Sequence, residues 1–370
     1  MKKIFCFSSL LVCSFIASSA HAFWDQSHQL IGSIASKNVS EKTNKAVERL
    51  LNIPLDYPGS FELSKNTNGF DTAASWADDI KSYKDQDINN DLSSCHYIDI
   101  PFTKEKIGKK ITDAEVMEKL NMIMEKNSQN SISCLKSSIK TLLVTSTSDA
   151  NKAIAVRMII HIVGDIGQPL HNASLVSKNE ADEGGNKIII DKPVTFQNIN
   201  VTSSVANNLH KIWDGSLGIY LQFPYNNEKS KLGYYTDEEK EATDKNAKNI
   251  FESSDFVNLK NRLLNDKNEE SIEFWSINSY KIAVKYAYSD LVFKSLNKFD
   301  KATFSVQFKE GWKNYQSSRA DIIDMQIKKS GIRLSYLLNS IFDNLNIKNP
   351  YFELVSNIKN DDNIKPLFVR

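Results

Sequence analysis

The stretch His161-Ile162-Val163-Gly164-Asp165-Ile166-Gly167-Gln168-Pro169-Leu170-His171 constrains this chain more than any other. It continues an apolar run, 153–160, long enough for a buried helix. On that helix His161 and Asp165, four apart, project from one face. Pro169 cannot donate into the helical ladder, so it ends the helix and swings His171 back toward the pair. Three metal-competent side chains thus converge within eleven residues. Taken alone, His161 and Asp165 also fit a core histidine hydrogen-bonded to a helix carboxylate, and the rest of the chain must decide.

The chain opens with Lys2 and Lys3, an apolar run over 4–17, and Ser18-Ser19-Ala20-His21-Ala22. Small residues at 20 and 22 suit a signal-peptidase site, and the apolar run is shorter than the ~20 residues that cross a bilayer. The expectation is an exported protein, periplasmic or secreted, with Phe23 at its mature amino terminus. Cys13 also allows a lipoprotein, although Val12 is a poor residue before a lipidated cysteine. The leader takes two of the four cysteines and one of the six histidines with it. Cys95 and Cys134 remain, and in an oxidising compartment they read as one disulfide, usually worth ~2–4 kcal/mol. Two free buried thiols are the alternative. Loss of Lys2 and Lys3 takes the net charge from +1 to −1, with 44 basic against 45 acidic residues. No global basic field then attracts nucleic acid, so any polyanion must be held locally.

Residues 27–52 show helical spacing with a break near Ser40, which is placed to cap a second helix. After a loop-like stretch, 70–81 reads as a helix carrying Trp76-Ala77-Asp78, and 85–101 turns from polar to extended. Helical patterns return over 112–126 and 131–145. Past His171, Asp182-Glu183-Gly184-Gly185-Asn186 signals a loop, and 187–190 with 194–201 read as a β-hairpin over the helices. Residues 207–221 read as helical, with His210 and Asp214 again four apart. The segment 237–267 is charged and helical, and 272–296 and 319–342 read as long amphipathic helices. The tail after Asp343 is polar and carries no pattern that places it. The expected fold class is mainly α, a single helical domain with a small β-hairpin insertion. A mature chain of 348 residues without a linker can bury one large core.

The mature histidines are His28, His96, His161, His171 and His210, each beside an aspartate or at a break between elements. Neutral imidazole and carboxylate are the usual zinc ligands, and a helix with ligands at i and i+4 is half a site. Together with Asp78, Asp165 and Asp214 they make eight ligands, more than one tetrahedral zinc can use. A cluster of metals is the economical reading.

Trp76-Ala77-Asp78-Asp79-Ile80-Lys81, His96-Tyr97, the 161–171 stretch, 182–186 and Leu209-His210-Lys211-Ile212-Trp213-Asp214 resemble, in that order, the motifs of the S1/P1 nuclease family of the phospholipase C/P1 nuclease superfamily. The likeness implies a catalytic domain over 23–343, between a signal peptide at 1–22 and a C-terminal extension at 344–370. It implies three Zn²⁺. Asp78, His96, His161 and Asp165 would bind one. His171, His210 and Asp214 would bind a second. The third would take Phe23, through its amino nitrogen and carbonyl oxygen, with His28 and a bridging Asp165. The family usually begins with tryptophan. Here Phe23 keeps the family spacing of five residues before His28, while Trp24 lies four before, and a backbone ligand tolerates phenylalanine. Gly167 stands where relatives often carry histidine, and the segment between His171 and His210 is longer than usual.

Three zinc ions against three ligand carboxylates leave a local excess of charge of about +3, which suits phosphate. The resemblance gives Asp78 the orientation of the attacking water, whose pKa zinc lowers to roughly 7, and Lys81 the neutralisation of a phosphate oxygen. A solvated surface lysine is the alternative for Lys81. Tyr97 would stack on a base, with Asp99, Gly184 and Asn186 at its edge; an ordinary core tyrosine is the alternative. Stacking needs unpaired bases, which favours single strands. The expected function is a zinc-dependent endonuclease cutting single-stranded DNA and RNA to 5′-nucleotides, acting also as a 3′-nucleotidase. A monomer without stable membrane association is expected. One rival is a zinc-dependent phospholipase C of the same superfamily; another is a catalytically inactive secreted interaction protein. Asp214, where the phospholipases typically have glutamate, the long 171–210 segment and the Tyr97/Asp99 pair favour the nuclease.

Overall fold

The computed structural model describes residues 25–55, 67–80, 92–126, 129–177, 180–196, 204–221, 237–294, 304–343 and 350–367. The central helix, Asp149–Gly167, is capped by Ser148, whose side chain accepts from the Asn151 amide, and it is buried at every position from Ala153 to Gly167. Helices Asp25–Asn38, Glu41–Leu51, Ser131–Leu143, Ile272–Ile282 and Ala320–Phe342 pack around it. A helix so covered has no polar face, which is why 153–160 is apolar except for Arg157, which is buried and donates to the Ala153 and Leu51 carbonyls. Ser40 caps the helix Glu41–Leu51 by accepting from the Thr43 amide, as its sequence position suggested. Close helix approach depends on glycine at several contacts. A Cβ on Gly331 would lie 2.5 Å from Ile34 Cγ2, and one on Gly164 would lie 2.7 Å from His28 Nδ1.

The protein is mainly helical, as its periodicity indicated, with two small sheets. In the first, β1 (Ile100–Phe102) runs parallel to β2 (Ala173–Ser177), which pairs antiparallel with β3 (Glu180–Ala181). In the second, the order is β5-β4-β7-β6, with β4 Ile188–Phe196, β5 Ser204–Asn208, β6 Leu291–Lys294 and β7 Phe304–Phe308. The expected hairpin is therefore misplaced. Asp191-Lys192-Pro193 is not a turn but the middle of β4, which pairs with 204–208; of the expected second strand 194–201, residues 194–196 belong to β4 itself and 197–201 lie outside the described residues. Proline cannot donate to a ladder, and here the β4/β5 register shifts between Ile189 and Val194 while the parallel β4/β7 ladder involves only 188–190.

Three helix readings also need correction. The 272–296 helix stops at Ile282, passes through a π-turn at Ala283–Ala287, and gives way to β6. Leu291 belongs to an alternating strand that pairs with β7, a long-range partner that helical spacing cannot reveal. The 70–81 helix is two short ones, Phe70–Ala73 and Trp76–Asp79. Side-chain bonds from Thr72 Oγ1 to Gly69 and from Ser75 Oγ to the Thr72 carbonyl compete with the ladder there. The 207–221 helix shortens to Leu209–Asp214, because Ser216 and Leu217 take positive φ of 48° and 55°.

The tail that sequence could not place includes a helix, Pro350–Asn360, packed on Ala320–Phe342 and Ser131–Leu143. Tyr351 shares Glu269 with Arg333, which donates two 2.8 Å bonds to that carboxylate in the buried interior. The Leu367 amide donates to Thr141 Oγ1 at 2.7 Å. Among the described residues, no helix is long and apolar enough to cross a membrane.

Candidate metal centre

The end of the central helix builds the site. Gln168 closes the helix, its amide donating to the Gly164 and Asp165 carbonyls, and Pro169 opens a 3₁₀ turn over Pro169–Asn172 that turns His171 back. Asn172 fixes this reversal by donating to the Ile166 and Gln168 carbonyls at 3.0 and 2.9 Å. His96 arrives from another 3₁₀ turn, Ser93–His96, whose Cys95 is disulfide-bonded to Cys134 on the helix Ser131–Leu143. Cys95 and Cys134 are thus paired as expected, beside a candidate ligand. Asp78 comes from Trp76–Asp79, His28 from Asp25–Asn38, and His210 with Asp214 from Leu209–Asp214.

All eight described candidate ligands are buried. Around Asp165 Oδ2 lie His161 Nε2 at 3.0 Å and His96 Nδ1 at 3.1 Å, while Asp165 Oδ1 faces His28 Nε2 at 3.3 Å. Asp78 Oδ1 stands 3.5 Å from His96 Nδ1 and 3.8 Å from His161 Nε2. On the other side, Asp214 faces His210 Nε2 at 3.2 Å and His171 Nε2 at 3.6 Å. Three groups have their donor atoms close enough to share an ion: His28/Asp78/His161, His96/His161/Asp165 and His171/His210/Asp214. Asp165 has one oxygen toward His28 and the other toward His96 and His161, a geometry suited to bridging two ions. Phe23 and Lys81 lie outside the described residues.

Backbone carbonyls orient three of the imidazoles. Nδ1 lies at hydrogen-bond distance from the Ala74 carbonyl in His161 (2.6 Å), from the His96 carbonyl in His171 (2.7 Å) and from the Gly184 carbonyl in His210 (2.7 Å). A proton held on Nδ1 leaves Nε2 as a lone-pair donor toward the centre, the arrangement that metal-binding histidines need. The sequence did not flag Gln168 or Asp182. Gln168 Nε2 donates to Asp214 Oδ1 at 2.7 Å while its Oε1 accepts from the Leu170 amide at 2.5 Å. Asp182 accepts from the Leu175 amide, Ser174 and Tyr288, and so pins the loop that carries Gly184. Only their places beside Pro169 and before the glycine pair hinted at these roles.

Electrostatics fit a cationic occupant. Burial pushes the His28 imidazolium below its ordinary range. Burial would do the same to His171, but pairing with Asp214 and the charge of Asp165 outweigh it and raise that pKa to about 9. Without metal, protons must neutralise this cluster, and metal binding would displace them. Asp165 Oδ1, His171 Nε2 and Asp214 Oδ2 are buried with no hydrogen-bond partner among the described residues. Buried polar atoms of this kind are costly unless an ion satisfies them. The donor set, nitrogen and carboxylate oxygen, is one that zinc accepts.

Tyr97 directly follows His96 and is 45% exposed, so it is not a core tyrosine. Asp99 is partly buried, and burial followed by the charge of Asp182 raises its pKa to about 7. Gly184 and Gly185 have φ of +61° and +86°, and a Cβ on Gly184 would meet the Leu170 carbonyl at 2.5 Å. Asn186 caps the same loop, its Nδ2 donating to the Glu183 carbonyl at 2.9 Å. Gly167 serves packing: a Cβ there would sit 2.0 Å from Ser330 Oγ.

A mainly helical scaffold that buries imidazoles and carboxylates in adjacent three-residue groups able to hold metal ions defines a class of helical proteins with a candidate metal centre. Within that class, the S1/P1 Nuclease family model matches residues 23–343, and the chain belongs to this family. It is also similar to Endonuclease 4 of Arabidopsis thaliana, 25% identical over 345 residues that cover 91% of this chain and 94% of the relative. The chain is accordingly a hydrolase of nuclease type.

Proposed function

We propose that the protein is an exported, zinc-dependent endonuclease that cuts single-stranded DNA and RNA to 5′-nucleotides and removes 3′-phosphates as a 3′-nucleotidase. The observation that carries this reading is the convergence of His28, Asp78, His96, His161, Asp165, His171, His210 and Asp214 in three adjoining groups, next to the exposed ring of Tyr97. Three zinc ions would be held, one by Asp78, His96, His161 and Asp165, a second by His171, His210 and Asp214, and a third by His28, a bridging Asp165 and, once the leader is removed, the amino nitrogen and carbonyl oxygen of Phe23. When bound, zinc supplies an acidified water and Lewis-acid stabilisation of phosphoryl oxygens. Asp78 orients the attacking water, and Lys81 neutralises phosphate charge. Tyr97 stacks on an unpaired base, and Asp99 with the 184–186 loop reads its edge. The nucleic-acid activity in the name of the plant relative supports the nuclease over the phospholipase, as does Asp214 in the second helical pair. We take the leader 1–22 to direct export and the active form to be a monomer that does not associate stably with membranes.

Metal analysis of the mature protein, with rates on single-stranded RNA, duplex DNA and phosphatidylcholine, tests the proposal. The expected result is three zincs per chain and single-strand cleavage well above duplex. Tyr97→Ala should weaken nucleotide binding by about 1–3 kcal/mol. Lipid hydrolysis without nuclease activity would falsify it.

A further inference from the structure

Ser216 and Leu217, two and three residues beyond Asp214, are fully buried and hold left-handed backbone, with φ of 48° and 55°. Neither residue type favours that region, which costs free energy for any side chain bulkier than glycine. Such backbone persists only where the surrounding structure imposes it, and it concentrates at functional sites. Gly218 completes the turn at a φ of +78°, its amide donating to the Gly215 carbonyl at 2.7 Å.

Three side-chain contacts hold this turn and the helix end before it. Gln316 Nε2 donates to the Leu217 carbonyl at 2.6 Å, and Trp213 Nε1 donates to the Tyr315 hydroxyl at 2.9 Å, so two of them come from the helix Trp312–Ser317. The third reaches the other end of the metal centre: Ser216 Oγ lies 2.6 Å from Ser27 Oγ, 189 positions away in sequence and also buried. Ser27 directly precedes His28 within the helix Asp25–Asn38. Ser27 and His28 therefore move as one helical turn, and only Gly215 separates Ser216 from Asp214. Fold stability alone does not require the hydroxyl pair, because replacing both partners of a buried hydrogen bond by apolar groups is nearly neutral.

We infer that Ser27 and Ser216 are positioning residues that couple the two ends of the metal centre. An ion held by His28 immobilises the first turn of Asp25–Asn38; that turn fixes Ser216, and Ser216 fixes the carboxylate of Asp214. The His171/His210/Asp214 group then binds its own ion more tightly when the His28 group is filled. The strained turn supplies what this requires, since a conformation imposed by three contacts relaxes when one of them loosens. The inference rests on the metal groups proposed above.

The test is zinc binding to the mature protein by chelator competition, in wild type, Ser27→Ala and Ser216→Gly, each with and without His28→Ala. The ion at the second group is identified as the one missing from His210→Ala. Repulsion between neighbouring ions and the carboxylate of Asp165 act alike in every background, so the comparison isolates the hydroxyl pair. In the wild-type background His28→Ala should shift affinity at the second group about tenfold further toward weak binding than in either serine variant, within the usual range for coupled sites. Ser216→Gly removes the hydroxyl while easing the positive φ, so it loses the coupling without added strain. Hydrogen exchange gives a readout independent of activity, through the Gly218 and Ile219 amides that donate to the Gly215 and Ser216 carbonyls. In His210→Ala, whose second group is disabled, zinc should still slow exchange at both amides, and adding Ser27→Ala should abolish that slowing. Either an equal His28→Ala factor in all three backgrounds or unslowed amides in His210→Ala would overturn the coupling and leave the metal centre intact. Wild-type protein that takes up no zinc at either group would overturn both.

Discussion

Replacing Gln168 by leucine separates what holds the second metal group from the ligands themselves. Gln168 is fully buried and spans two partners, donating to Asp214 Oδ1 at 2.7 Å and accepting from the Leu170 amide at 2.5 Å. Leucine fills similar volume but offers neither bond. Loss of a hydrogen-bonded support behind a metal-binding carboxylate typically lowers metal affinity 10–100-fold, or about 1.4–2.7 kcal/mol. The orphaned Leu170 amide adds a folding cost of about 1–3 kcal/mol, which should also appear in the metal-free protein. Competition between protein and a zinc chelator reads the first effect. One zinc per chain, the one at His171, His210 and Asp214, should be released at a 10–100-fold lower chelator concentration, with the remainder unchanged. Thermal unfolding of the metal-free variant reads the second. If Gln168→Leu holds all its zinc with wild-type affinity, the bond to Asp214 contributes nothing to metal binding, and the reasoning from geometry fails.

Asp165→Asn should reduce turnover and zinc content more than His28→Ala, because Asp165 faces both His28 and the His96/His161 pair; parallel metal analysis and kinetics decide it. Converting Cys95 and Cys134 together to alanine opens a loop spanning 39 residues, and chain entropy puts the cost near 4 kcal/mol, read as a drop in Tm; an unchanged Tm would show that the loop stays ordered without the bond. Gly184→Ala should slow catalysis through His210, since the φ of +61° and the 2.5 Å approach to the Leu170 carbonyl force the loop to move; retained metal content and rate would refute that coupling.

The sequence by itself determined the candidate ligands and the helical class. His161 and Asp165 are held four apart by the pitch of a helix, His171 is turned back by Pro169, and His210 and Asp214 repeat the spacing. Short-range geometry of this kind is written in the order of the residues. Ser40 as a helix cap and the Cys95–Cys134 pair were also legible, the cap because it is local and the disulfide because only one pairing is possible once the leader is set aside. The strands were not. β4 runs through Pro193 because its bulge and its short parallel contact with β7 leave that position without a ladder duty, and β6 exists only because β7 is there to pair with it. The tail gains its helix from surfaces on 320–342 and 131–143, far away in sequence. The supports behind the ligands also belong to the tertiary structure alone. The carbonyls of Ala74, His96 and Gly184, and the amide of Gln168, are groups that almost every chain carries, and only the fold brings them to the second nitrogen of an imidazole or the oxygen of Asp214. A side chain's chemistry is fixed by its identity, but a hydrogen bond between distant segments requires the chain to be packed before either partner is defined.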